Sequence, residues 1–256
     1  MLPNQRREKI LDLLKEDGSA KVVDLAKLFK VTEVTIRQDL EKLEAEDLIV
    51  KEHGGAYIKN VEDQVKSFSL VHQENLDKKA AIGEKCLEFI ESGDTIILDS
   101  GSTTTEIAKK IKSSGLKNLT VITNALNIAL MLGTATDIEV IMTGGEFKPP
   151  TLSLTGQKAA DFFKGLNVQK LFLATAGISL KSGLTYPSIS DIVVKKAMID
   201  AAEVAYLVAD STKIGKSALA SLGALGLIDY IITDAGIKEK HLSVFKENEV
   251  EIILAK

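Results

Sequence analysis

The amino-acid sequence predicts a mixed α/β protein in two parts, a small helical unit closed by a β-wing and a larger, mostly parallel α/β domain. Two observations predict this. The first part carries three short amphipathic helical patterns and then a strand-like stretch broken by a pair of glycines. Farther on come seven short apolar runs, "TIILD", "LTVIT", "IEVIM", "KLFLATA", "VAYLVAD", "IDYIITD" and "VEIIL", most of them separated by helical or loop segments. Runs that are continuously apolar, not alternating, belong to strands covered on both faces, as in a parallel sheet with crossover helices.

Taken in order, "REKILDLLKEDG" places Ile10, Leu11, Leu13 and Leu14 on one face, with Gly18 as a stop. "VVDLAKLF" does the same with Val22, Leu25, Ala26, Leu28 and Phe29. In "VTEVTIRQDLEKLEAED" the apolar residues Ile36, Leu40 and Leu43 recur at helical spacing, and Thr32 stands where a cap is needed. "LIVKEHGGAYI" has strand-like halves around Gly54 and Gly55, which suggests a small wing. The polar, weakly patterned "YIKNVEDQVKSFS" reads as a linker. The expected boundaries are therefore 1–58 for the first domain, 59–72 for the linker and 73–256 for the second domain. A helix around residues 77–91 opens that domain, and Cys86 shares its apolar face with Ile82, Phe89 and Ile90, the place of a core residue and not of a nucleophile. "TTEIAKKI", "ALNIALML", "GQKAADFF" and "DIVVKKAMIDAA" supply the crossovers.

Composition narrows the function classes. The chain has 256 residues and a formal net charge of −4, so overall charge gives no sign of a nucleic-acid or anionic-membrane partner. Even the first 58 residues hold ten Lys or Arg against twelve Asp or Glu, a balance of −2. A single cysteine and three widely separated histidines exclude a disulfide framework and leave no cysteine metal cluster. No run approaches the ~18 apolar residues of a membrane-spanning helix, so a cytoplasmic protein without a membrane partner is expected. "TGGE" is a glycine turn too short for a nucleotide signature, and neither a P-loop nor a Rossmann fingerprint is present.

In the third helix Glu33, Thr35, Arg37 and Gln38 lie off the apolar face. Arginine suits guanine and glutamine suits adenine, each through paired hydrogen bonds. All three arginines of the chain, Arg6, Arg7 and Arg37, fall in this unit. On periodicity alone, a helical unit exposing polar residues to water remains the simpler reading. The order of the pieces changes this, because "VTEVTIRQDLEKLEAEDLIVKEHGGA" resembles the winged helix-turn-helix of the DeoR family of bacterial sugar-catabolism repressors. The match runs through Val31, Thr32, Thr35, Ile36, Arg37, Asp39, Leu40, Leu43, His53, Gly54, Gly55 and Ala56. The resemblance implies operator DNA as a partner, met by Thr32, Glu33, Thr35, Arg37, Gln38 and His53. Gln38 stands where the family often has a second arginine, and Asp47 where it has a glycine, which implies weaker phosphate contact.

The segments "LDSGSTTTEIA", "VITNALNIA", "TGGEF", "GLTYPS" and "VADSTKIGKSAL" are similar to the sensor domain of the same family, whose fold is like that of ribose-5-phosphate isomerase. Each starts at or near a strand end, and open α/β sheets bind ligands beyond the carboxyl ends of their strands. In the turn after "TIIL", Gly101 allows close backbone approach while Ser100, Ser102, Thr103 and Thr104 offer hydroxyl and amide donors at a helix start. An ordinary helix cap and a phosphate cradle both fit these residues; the resemblance implies the cradle. The implied site for a phosphorylated sugar takes in Asp99, Ser100, Gly101, Ser102, Thr103, Thr104, Thr123, Asn124, Gly144, Gly145, Thr175, Gly177 and Lys213, with Lys213 or Lys216 as the balancing cation and Lys213 preferred.

Isomerising a sugar phosphate requires a general base beside a carbon-bound proton. Where the isomerase carries acidic residues, this chain has Thr175, Ala176, Gly177 and Ile178. The resemblance thus implies a sensor without catalytic residues, metal or cofactor: a transcriptional regulator, by default a repressor, of a carbohydrate-utilisation operon, acting as a homodimer or homotetramer. An isomerase-like enzyme with an appended winged helix is the alternative.

Overall fold

The computed structural model describes residues 2–17, 19–52, 54–57 and 72–256. They fall into two compact units, one made of the N-terminal helices and wing, the other built around a large sheet. His53 and nearly all of the expected linker lie outside the described residues.

The N-terminal unit runs α1 (Pro3–Asp17), β1 (Ser19–Lys21), α2 (Val22–Phe29), α3 (Glu33–Ala45), β2 (Val50–Glu52) and β3 (Gly55–Tyr57). Its core holds Ile10, Leu14, Val22, Leu25, Ile36, Leu40, Leu43 and Ile49, the residues on which the helical patterns converge. Lys30 takes a left-handed conformation (φ 53°) to end α2, and Thr32 accepts the amide of Thr35 at 3.2 Å to start α3. The tight turn between them makes a helix-turn-helix. The wing forms as expected, with β2 and β3 antiparallel, but β1 joins on the far side of β3 and completes a three-stranded sheet that sequence patterning did not foresee.

In the second unit a sheet of seven parallel strands has the order β15-β14-β12-β9-β4-β5-β6. The strands are β4 (Thr95–Leu98), β5 (Leu119–Thr123), β6 (Ile138–Met142), β9 (Val168–Leu173), β12 (Ala202–Val208), β14 (Tyr230–Asp234) and β15 (Glu251–Ala255). All seven apolar runs are strands of this sheet. Alternate residues of each run face opposite ways, and both sides of the central strands are buried. Ile96, Leu98, Val121, Phe172 and Ile232 pack under α4 (Leu76–Cys86), α5 (Ser102–Ser114) and α6 (Leu126–Leu132). Ile97, Ile122, Leu171, Leu207 and Ile231 pack under α7 (Gln157–Asp161), α8 (Ile189–Asp200) and α9 (Glu239–Glu247). Cys86 is fully buried in the first of these layers, and its thiol pKa is pushed well up by that burial. Truncating a core residue such as Leu171 to Ala would cost ~2–5 kcal/mol.

Smaller pieces decorate the sheet: a pair β7 (Glu146–Lys148) and β8 (Ser153–Thr155), and an antiparallel sheet of β10 (Gly177–Ser179), β11 (Gly183–Tyr186) and β13 (Ala220–Gly223). His72, assigned to the linker by sequence, lies against α5, with its Nε2 2.7 Å from the Glu106 carboxylate. No helix among the described residues is long and apolar enough to cross a membrane.

Candidate functional site

Two surfaces carry the predicted residues. In the N-terminal unit, α3 turns Ile36, Asp39, Leu40 and Leu43 inward and leaves Glu33, Val34, Arg37, Gln38 and Glu41 exposed. Arg37 reaches back one turn to the Glu33 carboxylate at 3.3 Å, an exposed pair that holds the guanidinium without burying it. Thr32 and Thr35 share a hydroxyl contact of 3.0 Å at the start of the helix. The clustering of arginines needs one correction. Arg6 is buried, and its Nε donates to Asp39 at 2.5 Å, so it ties α1 to α3 and is not free to meet DNA.

In the second unit the chain lays down β4, β5 and β6 toward one edge and then returns with β9 on the other side of β4. Ligands of open α/β sheets sit at such a switch point, beyond the strand ends. There a Cβ on Gly101 would stand 2.6 Å from that of Ala174, so glycine is required for the β4 and β9 loops to close on each other. Asp99 belongs to the support of this junction. It is fully buried, accepts the Ala174 amide at 3.0 Å and takes both oxygens to Lys195 Nζ at 2.7 and 2.6 Å. Burial pushes its pKa up, and the lysine opposes the rise. Lys195 lies over the Tyr186 ring at 4.9 Å, and the Tyr186 hydroxyl donates to the Ala174 carbonyl at 2.8 Å. The Asp99 carboxylate, expected to meet the ligand, is thus engaged by Lys195 and the Ala174 amide.

The hydroxyls of the turn divide into two groups. Those of Thr104 and Thr105 donate back to the Gly101 carbonyl at 3.0 and 2.7 Å, so both are engaged within the first turn of the helix. Ser102 and Thr103 have no hydrogen-bond partner for their hydroxyls among the described residues, and no side chain caps the first amides of α5. Ser100 accepts from Asn124 Nδ2 at 3.4 Å. Asn124 also donates to the Leu154 carbonyl at 3.1 Å, while its Oδ1 is buried without a partner. Because Leu154 offers only an acceptor there, the amide orientation is set and Oδ1 is an unused acceptor.

Several other residues expected at the site have partners within the protein. Thr123 donates to the Leu98 carbonyl at 2.6 Å and accepts the Ala125 amide at 3.1 Å. Thr175 bonds the Gly177 and Thr185 carbonyls at 3.1 and 3.2 Å, and Gly177 packs where a Cβ would lie 2.9 Å from the Lys216 carbonyl. Gly145 (φ 131°) gives the turn before β7 a conformation and a closeness to Thr155 that only glycine supplies, while Gly144 is open to solvent.

After β12, on the far side of β9 from β4, Asp210 is buried; its Oδ1 accepts the Thr212 amide at 3.0 Å, and its Oδ2 has no partner among the described residues. Lys213, half-buried, lies one short 3-10 turn further on, its amide bonded to the Asp210 carbonyl at 3.0 Å. Sequence reasoning missed Lys79 of α4, which is buried in the field of Asp210 and Lys213 and whose pKa is lowered by burial first. It missed Lys195 as well. Each lysine sits on its helix's buried stripe, Lys79 with Ile82 and Cys86, Lys195 with Asp191, Val194 and Met198. A lysine at an apolar position of an amphipathic helix is the signal that could have found them.

The comparisons with known proteins agree with this division. Residues 6–61 match the DeoR-like helix-turn-helix domain, and residues 74–235 match the DeoR C terminal sensor domain. The lactose phosphotransferase system repressor of Lactococcus lactis subsp. lactis is 30% identical over 248 residues, 96% of this chain and 97% of that protein. The HTH-type transcriptional repressor GlcR of Bacillus subtilis is 30% identical over 99% of this chain and 97% of its own length. The HTH-type transcriptional regulator GlpR of Haloferax volcanii is 32% identical over 91% of each chain. Among solved structures, ribose 5 phosphate isomerase A from Neisseria gonorrhoeae overlaps 54% of this chain and 53% of its own with a TM-score of 0.41 at 16% identity, too loose an overlap to bear on function. The chain belongs to the DeoR family of DNA-binding transcriptional regulators, with that family's helix-turn-helix at its N-terminus and its sensor domain behind.

Proposed function

We propose that this regulator represses a carbohydrate-utilisation operon and that a phosphorylated sugar, bound at the carboxyl edge of the parallel sheet, sets its affinity for operator DNA. Residues 1–58 would form the DNA-binding head, 59–72 the linker and 73–256 the sensor, in a cytoplasmic homodimer or homotetramer. The observation that carries the effector reading is the start of α5. Among the described residues no side chain caps its first amides and the Ser102 and Thr103 hydroxyls have no partner, while Lys213 and the buried Lys79 lie within each other's field. A helix N-terminus with free donors favours an anion, and charge-assisted hydrogen bonds are the stronger kind. Asn124 Oδ1 and Asp210 Oδ2, both buried acceptors without partners, suit hydroxyl groups of the sugar.

Sensing requires no chemistry. A ligand that binds one arrangement of the sensor more tightly shifts the population of DNA-binding states, and a tenfold change in operator affinity takes ~1.4 kcal/mol of coupling. Support for a sensor over a catalyst comes from the loop of Thr175 to Ile178, which holds no carboxylate, and from the engagement of Asp99 by Lys195. Calorimetry with a panel of sugar phosphates and the matching free sugars tests the proposal. A phosphorylated sugar should bind, its unphosphorylated partner at least tenfold more weakly, and NMR should show no isomerised product after long incubation. Turnover above background would establish the enzyme instead.

A further inference from the structure

Val34 is an apolar side chain left 63% exposed in the first turn of α3. A β-branched residue gives a helix surface little in propensity, and nothing among the described residues covers it. With about 100° between successive residues, Val34 lies opposite the centre of the buried stripe of Ile36, Asp39, Leu40 and Leu43. Arg37 is displaced from it by about 60° to one side and Gln38 by about 40° to the other. The exposed face of the recognition helix therefore carries an apolar centre between two groups shaped for base edges. In the major groove the apolar feature of a base pair is the thymine C5-methyl group. Residues at the start of a recognition helix are the ones that meet base edges in helix-turn-helix proteins.

We propose that Val34 packs against a thymine methyl in each operator half-site and so sets specificity beside Arg37. Along the helix axis Val34 stands about 4.5 Å before Arg37, and successive bases of one strand rise about 3.4 Å. The thymine then lies within about two base steps of the base bonded by Arg37. This rests on the DNA-binding role of α3.

The full-length protein is used to select its preferred duplex from a random library, and that duplex is then remade with deoxyuridine for thymidine at one position of a half-site at a time. Wild type should lose about fourfold in affinity at one such position, the worth of one buried methyl group, and little at the others. Val34→Ala, which raises helix propensity and so should fold, is expected to bind the thymidine duplex about as weakly as wild type binds the uridine one, and to discriminate no further. Equal wild-type affinity for every uridine duplex would overturn the proposal, as would undiminished discrimination by Val34→Ala, which would place the methyl effect in the DNA itself. Selection of no duplex at all would take down the recognition-helix assignment along with it.

Discussion

Replacing Lys195 by Met strips the buried Asp99 carboxylate of its counter-ion. Asp99 is fully buried, and both its oxygens face Lys195 within 2.7 Å, so the variant leaves it backbone amides alone, those of Ala174 at 3.0 Å and of Ser100. Removing one partner of a buried pair costs ~3–5 kcal/mol, a large part of the ~5–15 kcal/mol that holds a domain folded. Adding Asp99→Asn removes the charge and leaves at most a polar group short of a partner, a cost of ~1–3 kcal/mol, so the double variant should regain ~2 kcal/mol. The difference must depend on pH. Asp99 already has a pKa raised from 3.8 by burial, and loss of Lys195 raises it further. The folded state then holds the proton more tightly than the unfolded chain, so stability falls as pH rises from the unfolded value through the folded one, and the penalty is complete above it. Urea unfolding of the single and double variants, followed by far-UV circular dichroism from about pH 4 to 8, should show a gap that is widest at neutral pH and closes toward acid. A single variant as stable as wild type at neutral pH, or a gap that ignores pH, would refute the assignment of Lys195 as the ion that makes Asp99 tolerable.

Arg37→Ala should weaken operator binding by ~1–3 kcal/mol through loss of a base contact while calorimetric affinity for the effector stays unchanged; unaltered gel-shift affinity would remove α3 as the reading helix. Lys213→Met should weaken the sugar phosphate at least tenfold and leave the free sugar's weak binding alone, since the cation serves the phosphate. Thr104→Val, which deletes a hydroxyl directed at the Gly101 carbonyl, should lower stability by ~1 kcal/mol with effector affinity within about twofold of wild type. If it abolished binding in a protein that still folds, the division of hydroxyls within the turn would be wrong.

The large sheet was legible because its central strands are continuous apolar runs that two helical layers bury from both sides. What escaped was short and polar or rich in glycine. β1 is three residues, "SAK", and is a strand only because Ser19 to Lys21 pair with Tyr57 to Gly55. β10, β11 and β13 likewise exist through pairing with one another across the chain. At the site, the strand ends and the "SGSTTT" turn were visible in the sequence, but which hydroxyl closes the helix and which stays free depends on where the Gly101 carbonyl falls. Thr104 and Thr103 are the same residue type side by side, and only the backbone separates their roles. Thr123 and Thr175 show the same limit, since only the fold reveals that their hydroxyls donate to carbonyls of neighbouring strands and loops. Lys79 and Lys195 were overlooked because amphipathic patterning treats a lysine as solvent-facing, whereas both lie on the apolar stripe.

Thr103→Glu asks whether a phosphate held at the start of α5 controls a DNA-binding head elsewhere in the chain. The substitution sets a fixed negative charge beside the free amides and hydroxyl of that turn, in a helix remote in sequence from α3. Operator titrations of wild type and variant, each with and without a sugar phosphate that binds wild type, give the decision. Thr103→Glu should bind operator as wild type does without ligand and show no change when ligand is added. A variant that still responds at the same ligand concentration would contradict the account, moving the phosphate elsewhere along the strand edge and leaving Gly101 to Thr104 as no more than a helix cap.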